Sequence, residues 1–283
     1  MPKAAPPARG ASAVSELAVV FNRVSMAFDD HVVLQDLSFE IPVGAMRIML
    51  GSSGSGKSVI LKLILGLLRP DAGEIIVNGH HVHSMSEADL LKMRADIGMA
   101  FQENALFDSL TVAQNVAFRL MEERMPDEQI DARVAEVLGF VGLSDFADRM
   151  PSQLSGGQRR RVGIARGMAS KPSLMLFDDP ITGLDPLIAM TVDDEIIKLR
   201  DLEQVTSLLV THQIRDAYYV ATHEAVRRDG KVEIVDADPK RAEQFEFMLL
   251  HNGRIHVQAS AAELFSSTDP FVKEYLHKTL PPW

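Results

Sequence analysis

The run GSSGSGKS, Gly51 to Ser58, constrains this chain more than any other stretch, because it fits G-x-x-x-x-G-K-[ST] at every required position. The pattern is mechanical. Glycines let backbone N–H groups curl around phosphate oxygens, the helix that follows aims its positive end at the same point, Lys57 adds a point charge, and Ser58 offers a hydroxyl to a divalent cation. The cradle residues are Gly51, Ser52, Ser53, Gly54, Ser55, Gly56, Lys57 and Ser58. Such a loop works only between a strand and a helix. The apolar run AMRIML precedes it, and VILKLILGLL (Val59 to Leu68) follows it as a buried helix, too short to span a bilayer and interrupted by Lys62. The bland alternative is a Gly/Ser-rich turn before a core helix.

A magnesium ion on phosphates still needs a carboxylate from the end of a neighbouring buried strand. MLFDDP (Met175 to Pro180) supplies two, and successive strand residues point to opposite sides, so they cannot share one job. The natural division gives Asp178 to the metal shell and Asp179 to the terminal phosphate and its attacking water; the alternative is that both cap the following helix.

Elsewhere, short β-like runs recur from Leu17 to Leu50, and EIIVNGHHV reads as a hairpin on Asn78-Gly79. The stretch from about Thr111 to Pro151 is helical in pattern, with DEQIDARVAEVLGFVG starting after Pro126 and ending at a glycine. Then strands LMLF and SLLV alternate with helices. The alternation predicts an α/β fold with a mainly parallel sheet covered on both faces, the helical middle (about 103–160) being an inserted subdomain. Residues 1–16 read as a disordered leader, 222–250 as a charged, irregular surface insertion before a second hairpin at Asn252-Gly253, and 266–283 as a helical tail that packs on its own domain or docks onto a partner chain. The 283 residues carry a net charge of −10, which argues against nucleic acid as a partner, since phosphate backbones call for clustered Lys and Arg. With no cysteine there is neither a disulfide framework nor a thiolate metal site, as suits a cytosolic address.

A second glycine turn, LSGGQ, opens another helix rich in cations (Arg159 to Arg161, Arg166), a second place suited to an anion. A chain with one phosphate cradle has no need of it. The economical solution is that Ser155, Gly156, Gly157 and Gln158 complete the nucleotide site of a second copy, two chains sandwiching two nucleotides in an isologous homodimer.

On these motifs the chain resembles the nucleotide-binding subunit of ATP-binding-cassette (ABC) transporters. LSGGQ matches that family's signature letter for letter, and the likeness runs from about Val19 to Ile255. It implies a P-loop RecA-like core with an antiparallel β subdomain and an inserted α-helical subdomain, ATP and Mg2+ as ligands, and ATP hydrolysis. It also implies a separate integral membrane permease docked beside Gln102 to Leu110, and a location on the cytoplasmic face of the inner membrane. Carried over position by position, Phe28 is the aromatic that stacks on adenine, or else a core Phe. Gln102 senses Mg2+ and water, Asp185 in TGLDP crosses the dimer interface, and His212 in LLVTHQ is the switch histidine on the terminal phosphate. One position departs from the pattern: the family has glutamate where Asp179 stands. A carboxylate withdrawn by about 1.5 Å can cost about a hundredfold in rate, unless a backbone shift or an extra water restores its reach.

FQENALFDSLTVAQNVAF (Phe101 to Phe118) is similar to the version in phospholipid transporters of the Mla and mammalian-cell-entry type, which would add a lipid-binding mammalian-cell-entry subunit as a partner. Three readings stand at this point: an ATPase for phospholipid transport, the ATPase of a small-solute (amino-acid-like) importer, and a slowly hydrolysing ATP-dependent clamp or regulator.

Overall fold

The computed structural model describes residues 16–102, 105–243 and 245–279. The chain opens with β1 (Leu17–Phe28) and β2 (His31–Pro42), paired antiparallel, then β3 (Met46–Leu50) and α1 (Lys57–Ile64). β4 (Ala72–Val77) and β5 (His80–His81) follow, joined by the expected Asn78-Gly79 turn with φ of 48° and 79°, and then α2 (Glu87–Ala95) and β6 (Ile97–Ala100). The helical middle holds α3 (Val112–Glu122), α4 (Asp127–Phe140) and α5 (Gly156–Met168). Thr111 and Gln114 cap α3 reciprocally, each side chain accepting from the other's backbone N–H. β7 (Leu174–Asp178), α6 (Pro186–Leu202), β8 (Thr206–Thr211) and α7 (Ile214–Thr222) complete the alternation.

The stretch 222–250, expected to be an irregular insertion, carries regular strands and a short helix among its described residues. β9 (His223–Arg228) and β10 (Lys231–Asp236) form a hairpin whose tip, Asp229-Gly230, has φ of 49° and 78°, and α8 (Pro239–Ala242) follows. The last part, β11 (Glu246–His251), is a strand of the main sheet, pairing in parallel with β3. β12 (Arg254–Ser260), α9 (Ala261–Phe265) and α10 (Pro270–Thr279) close the described chain. The expected leader lies, but for Glu16, outside the described residues, as do the last four residues of the tail.

Among the described residues the main sheet has the order β12-β11-β3-β8-β7-β6, parallel except for β12, and a second, antiparallel sheet has the order β2-β1-β4-β5. Period-two alternation divides the main sheet's side chains between two cores. Ile48, Leu50, Met175, Phe177, Leu209 and Phe247 face the helices α3 to α7. Met49, Leu174, Leu176, Leu208, Val210 and Met248 face α1 and the antiparallel sheet. Burying both faces is why these strands read as unbroken apolar runs. It also leaves polar residues one place to converge, the carboxyl ends of the central strands.

Candidate active site

Three adjacent strands deliver the candidate groups: β3 runs into the cradle, β7 ends on Asp178, and β8 ends on Thr211 just before His212. Gly56 caps α1 at φ 105°, where a side chain would be strained and a Cβ would lie 2.9 Å from a methyl of Leu34. Lys57 is buried, its Nζ donating to the carbonyl oxygens of Gly51 (2.8 Å) and Ser52 (3.0 Å). Burial pushes its pKa down, while the charges of Asp179 and Asp178 pull it up. Ser55 Oγ is buried without a hydrogen-bond partner, a polar atom in the loop left for a ligand. A Cβ on Gly54 would meet nothing within 4 Å, so the loop is open on that side.

Asp178, the last residue of β7, and Asp179, just past its end, have different partners. The Ser58 hydroxyl donates to Asp178 Oδ1 (3.1 Å), and burial pushes the Asp178 carboxyl up, with Ser58 opposing and Asp179 adding to the shift. A hydroxyl and a carboxylate are hard oxygen donors of the kind Mg2+ takes together with substrate phosphates. No trio of His, Cys, Asp or Glu able to hold a metal by itself occurs among the described residues, so phosphate oxygens would have to complete such a shell. Asp179 adopts φ 42°, a left-handed conformation that Asp tolerates better than most residues. Its N–H donates to Val210 O (2.9 Å), and its Oδ1 accepts from the His212 N–H (3.0 Å) and lies 2.9 Å from His212 Nδ1. One carboxylate oxygen therefore fixes both the backbone and the ring of His212.

The other positions lie around this centre. Phe28 ends β1 and is 44% exposed, which removes the core reading. Gln102 is exposed in the turn after β6, beside two residues outside the described set. Asp185 caps α6 through an N–H bond from Leu187 to its Oδ1 (3.0 Å). Ser155 and Gln158 form a reciprocal cap on α5, and Gly157 is required by packing, since a Cβ there would lie 2.1 Å from Ile188 Cγ2. Among the described residues no hydrogen bond joins this turn to the chain's own cradle.

The arginines of α5, read as attracting an anion, hold backbone carbonyls instead: Arg159 that of Leu154, Arg161 that of Val141, and Arg166 that of Ala105. Arg160, counted with those cations, likewise donates to Phe101 O (2.9 Å) and Thr182 O (3.0 Å), tying the turn before Gln102 to the one before Asp185, a role no sequence signal singled out. Asn115 was missed for the same reason. It is fully buried, accepts from the Phe107 N–H (2.8 Å), and donates to the carbonyls of Phe107, Leu110 and Thr111. It thereby shapes the loop that presents Phe107, stacked on Phe118 at 4.5 Å.

The ABC transporter family profile matches residues 34–182, from β2 through the cradle and the signature turn to the carboxylate pair. The chain belongs to the ABC transporter family. This cassette is 38% identical over 252 residues to a sulfate/thiosulfate import ATP-binding protein CysA of Synechocystis, covering 88% of this chain and 70% of that protein. A methionine import ATP-binding protein MetN of Corynebacterium jeikeium is likewise 38% identical, over 87% of this chain and 70% of its own length. Among solved structures, the ATP-binding cassette MJ0796, a dimer in a post-hydrolysis state with ADP and Pi, superposes with a TM-score of 0.70 at 28% identity, covering 86% of this chain and 98% of that one. CbiO1 of Clostridium perfringens shares the fold, with a TM-score of 0.76 at 23% identity over 93% and 94% of the two chains. The cassette is an ATPase of this family, taking ATP with Mg2+ as the usual cation, and such cassettes dimerise and pair with membrane permeases. The expected likeness to phospholipid-transport ATPases, with a mammalian-cell-entry subunit, finds no support in these relatives, which are named for sulfate/thiosulfate and methionine import.

Proposed function

We propose that this chain powers a small-solute importer from the cytoplasmic face of the inner membrane. The supporting observation is its 38% identity, over 87–88% of its length, to ATPases named for sulfate/thiosulfate and methionine import. The backbone of Gly51 to Gly56 and the Lys57 ammonium hold the phosphates, and Phe28, exposed at the mouth of β1, stacks on the base. Ser58 and Asp178 would hold Mg2+, with Gln102 completing its surroundings, and the ion would supply charge neutralisation for the transferred phosphoryl group. Asp179 orients the attacking water through Oδ2, the oxygen not engaged with His212, and His212 steadies the terminal phosphate. Ser155, Gly156, Gly157 and Gln158 close over the partner copy's nucleotide, and Asp185 lies at the same seam.

A second reading, phospholipid transport, is favoured by the run Ala105 to Phe118, whose loop Asn115 shapes beside exposed Phe107. Isolating the native complex from membranes decides between the two. A polytopic permease accompanied by a solute-binding protein is expected. Recovery of a permease with a mammalian-cell-entry lipid-binding subunit instead would overturn the importer reading, and recovery of no membrane subunit would point to a clamp or regulator.

A further inference from the structure

The ladder between β3 and β8 stops one rung short of the active site. Its last pair is Leu50 with Thr211, so the next would be Gly51 with His212, the first residue of the cradle and the switch histidine. Those strands must diverge there, one into the phosphate loop and the other into the turn that carries His212. The His212 side of that gap is held from far away in sequence. Tyr275 of α10 donates its hydroxyl to the His212 carbonyl (3.4 Å).

The tyrosine is held in place for this. It is 9% exposed, and Val272 and Leu276 on the same helix are buried in the core formed with α6 and α7. One residue into α10, Phe271 stacks on His251 with centroids 3.8 Å apart and meets His256 edge-on at 4.9 Å. His256 Nε2 also lies 3.2 Å from Asp269, whose Oδ1 accepts the Val272 N–H at the start of the helix. Burial, opposed by the Gly51 N–H, pushes the phenol up to about 12, so the hydroxyl stays a donor over the working pH range.

We infer that Tyr275 is a positioning residue for ATP hydrolysis: its hydroxyl holds the His212 carbonyl and so fixes where the switch histidine sits beside the phosphate loop. From His212 the effect passes to Asp179, whose Oδ1 holds that residue's ring and backbone. The C-terminal helix is thereby part of the catalytic frame, although Tyr275 lies 63 residues beyond His212. The inference rests on the role of His212 proposed above.

The test compares steady-state ATP hydrolysis by the full-length chain and by Tyr275→Phe, which keeps the ring and its packing and removes only the hydroxyl. Turnover at saturating Mg-ATP should fall roughly threefold to tenfold, the effect of one hydrogen bond felt in the transition state, with KM within about twofold. The melting midpoint should move by no more than about 3 °C. Unchanged turnover would overturn the inference, whatever the melting midpoint does, because the hydroxyl would then serve stability alone. A rise in KM at constant turnover would also overturn it. His212→Ala, measured alongside, separates the two claims: full activity there removes the assignment of His212, whereas impaired His212→Ala with an unimpaired Tyr275→Phe rejects only the tyrosine.

Discussion

Asp179 departs from its family's glutamate, and the structure shows how the shorter side chain is used. Its carboxylate is drawn toward the backbone and ring of His212, so the charge and the histidine move as one unit. Its left-handed φ of 42° favours Asp or Asn, so Asp179→Asn is a clean variant in which the backbone has no reason to shift. Turnover in Asp179→Asn should drop by about a hundredfold or more while ATP affinity, measured by calorimetry, holds. Wild-type hydrolysis by that variant would displace Asp179 from the chemistry. Asp179→Glu, which restores the missing reach, should turn over at the parent's rate or faster. The sequence led to the expectation that Asp178 and Asp179 face different partners through strand alternation, but β7 ends at Asp178, and it is the left-handed turn at Asp179 that carries its carboxylate to His212. The bonds of Arg160 to Phe101 and Thr182 were not legible in the sequence, because their partners lie 59 and 22 residues away and an arginine inside an Arg run carries no mark of its target.

At the scale of elements, α6 and α7 begin at Asp185 and just after His212, and they meet over a buried acidic contact. Asp193 on α6 is 2% exposed with Oδ2 unpartnered, and burial, then Asp216 and Asp194, push its pKa well above the ordinary 3.8, against the pull of Arg215. A raised carboxyl binds its proton more tightly in the folded state. Its contribution to stability is therefore complete below about pH 3.8 and lost as pH rises through the folded value. Asp193→Asn keeps the neutral form at every pH. It should raise the melting midpoint by about 2–4 °C at pH 7.5 and by nothing near pH 4, as followed by thermal unfolding across that range. An equal effect at both ends would show that Asp193 is ionised throughout. Element boundaries were mostly readable, since turn glycines and caps mark them. The hairpin of β9 and β10 escaped because charged residues dilute its alternation, although Asp229-Gly230 was a usable turn signal.

For the whole molecule, the glycine turn at the start of α5 has no bond to the chain's own cradle among the described residues, and MJ0796, to which the chain is similar, is a dimer. Asp179→Asn with Mg-ATP should double its mass in sedimentation and return to the smaller form when EDTA removes the cation. A single-chain mass under those conditions would leave the signature turn without an occupant. Among the described residues no helix is long and apolar enough to cross a membrane. The sequence by itself determined the phosphate cradle, the carboxylate pair, the signature turn and the α/β alternation, because each is written in residues a few positions apart whose geometry is local. Only the tertiary structure decided that β11 completes the main sheet, that α5's arginines grip carbonyls, and that Tyr275 holds the His212 carbonyl. Such contacts join residues distant in sequence, and no local pattern of propensity or period encodes which buried polar group meets which.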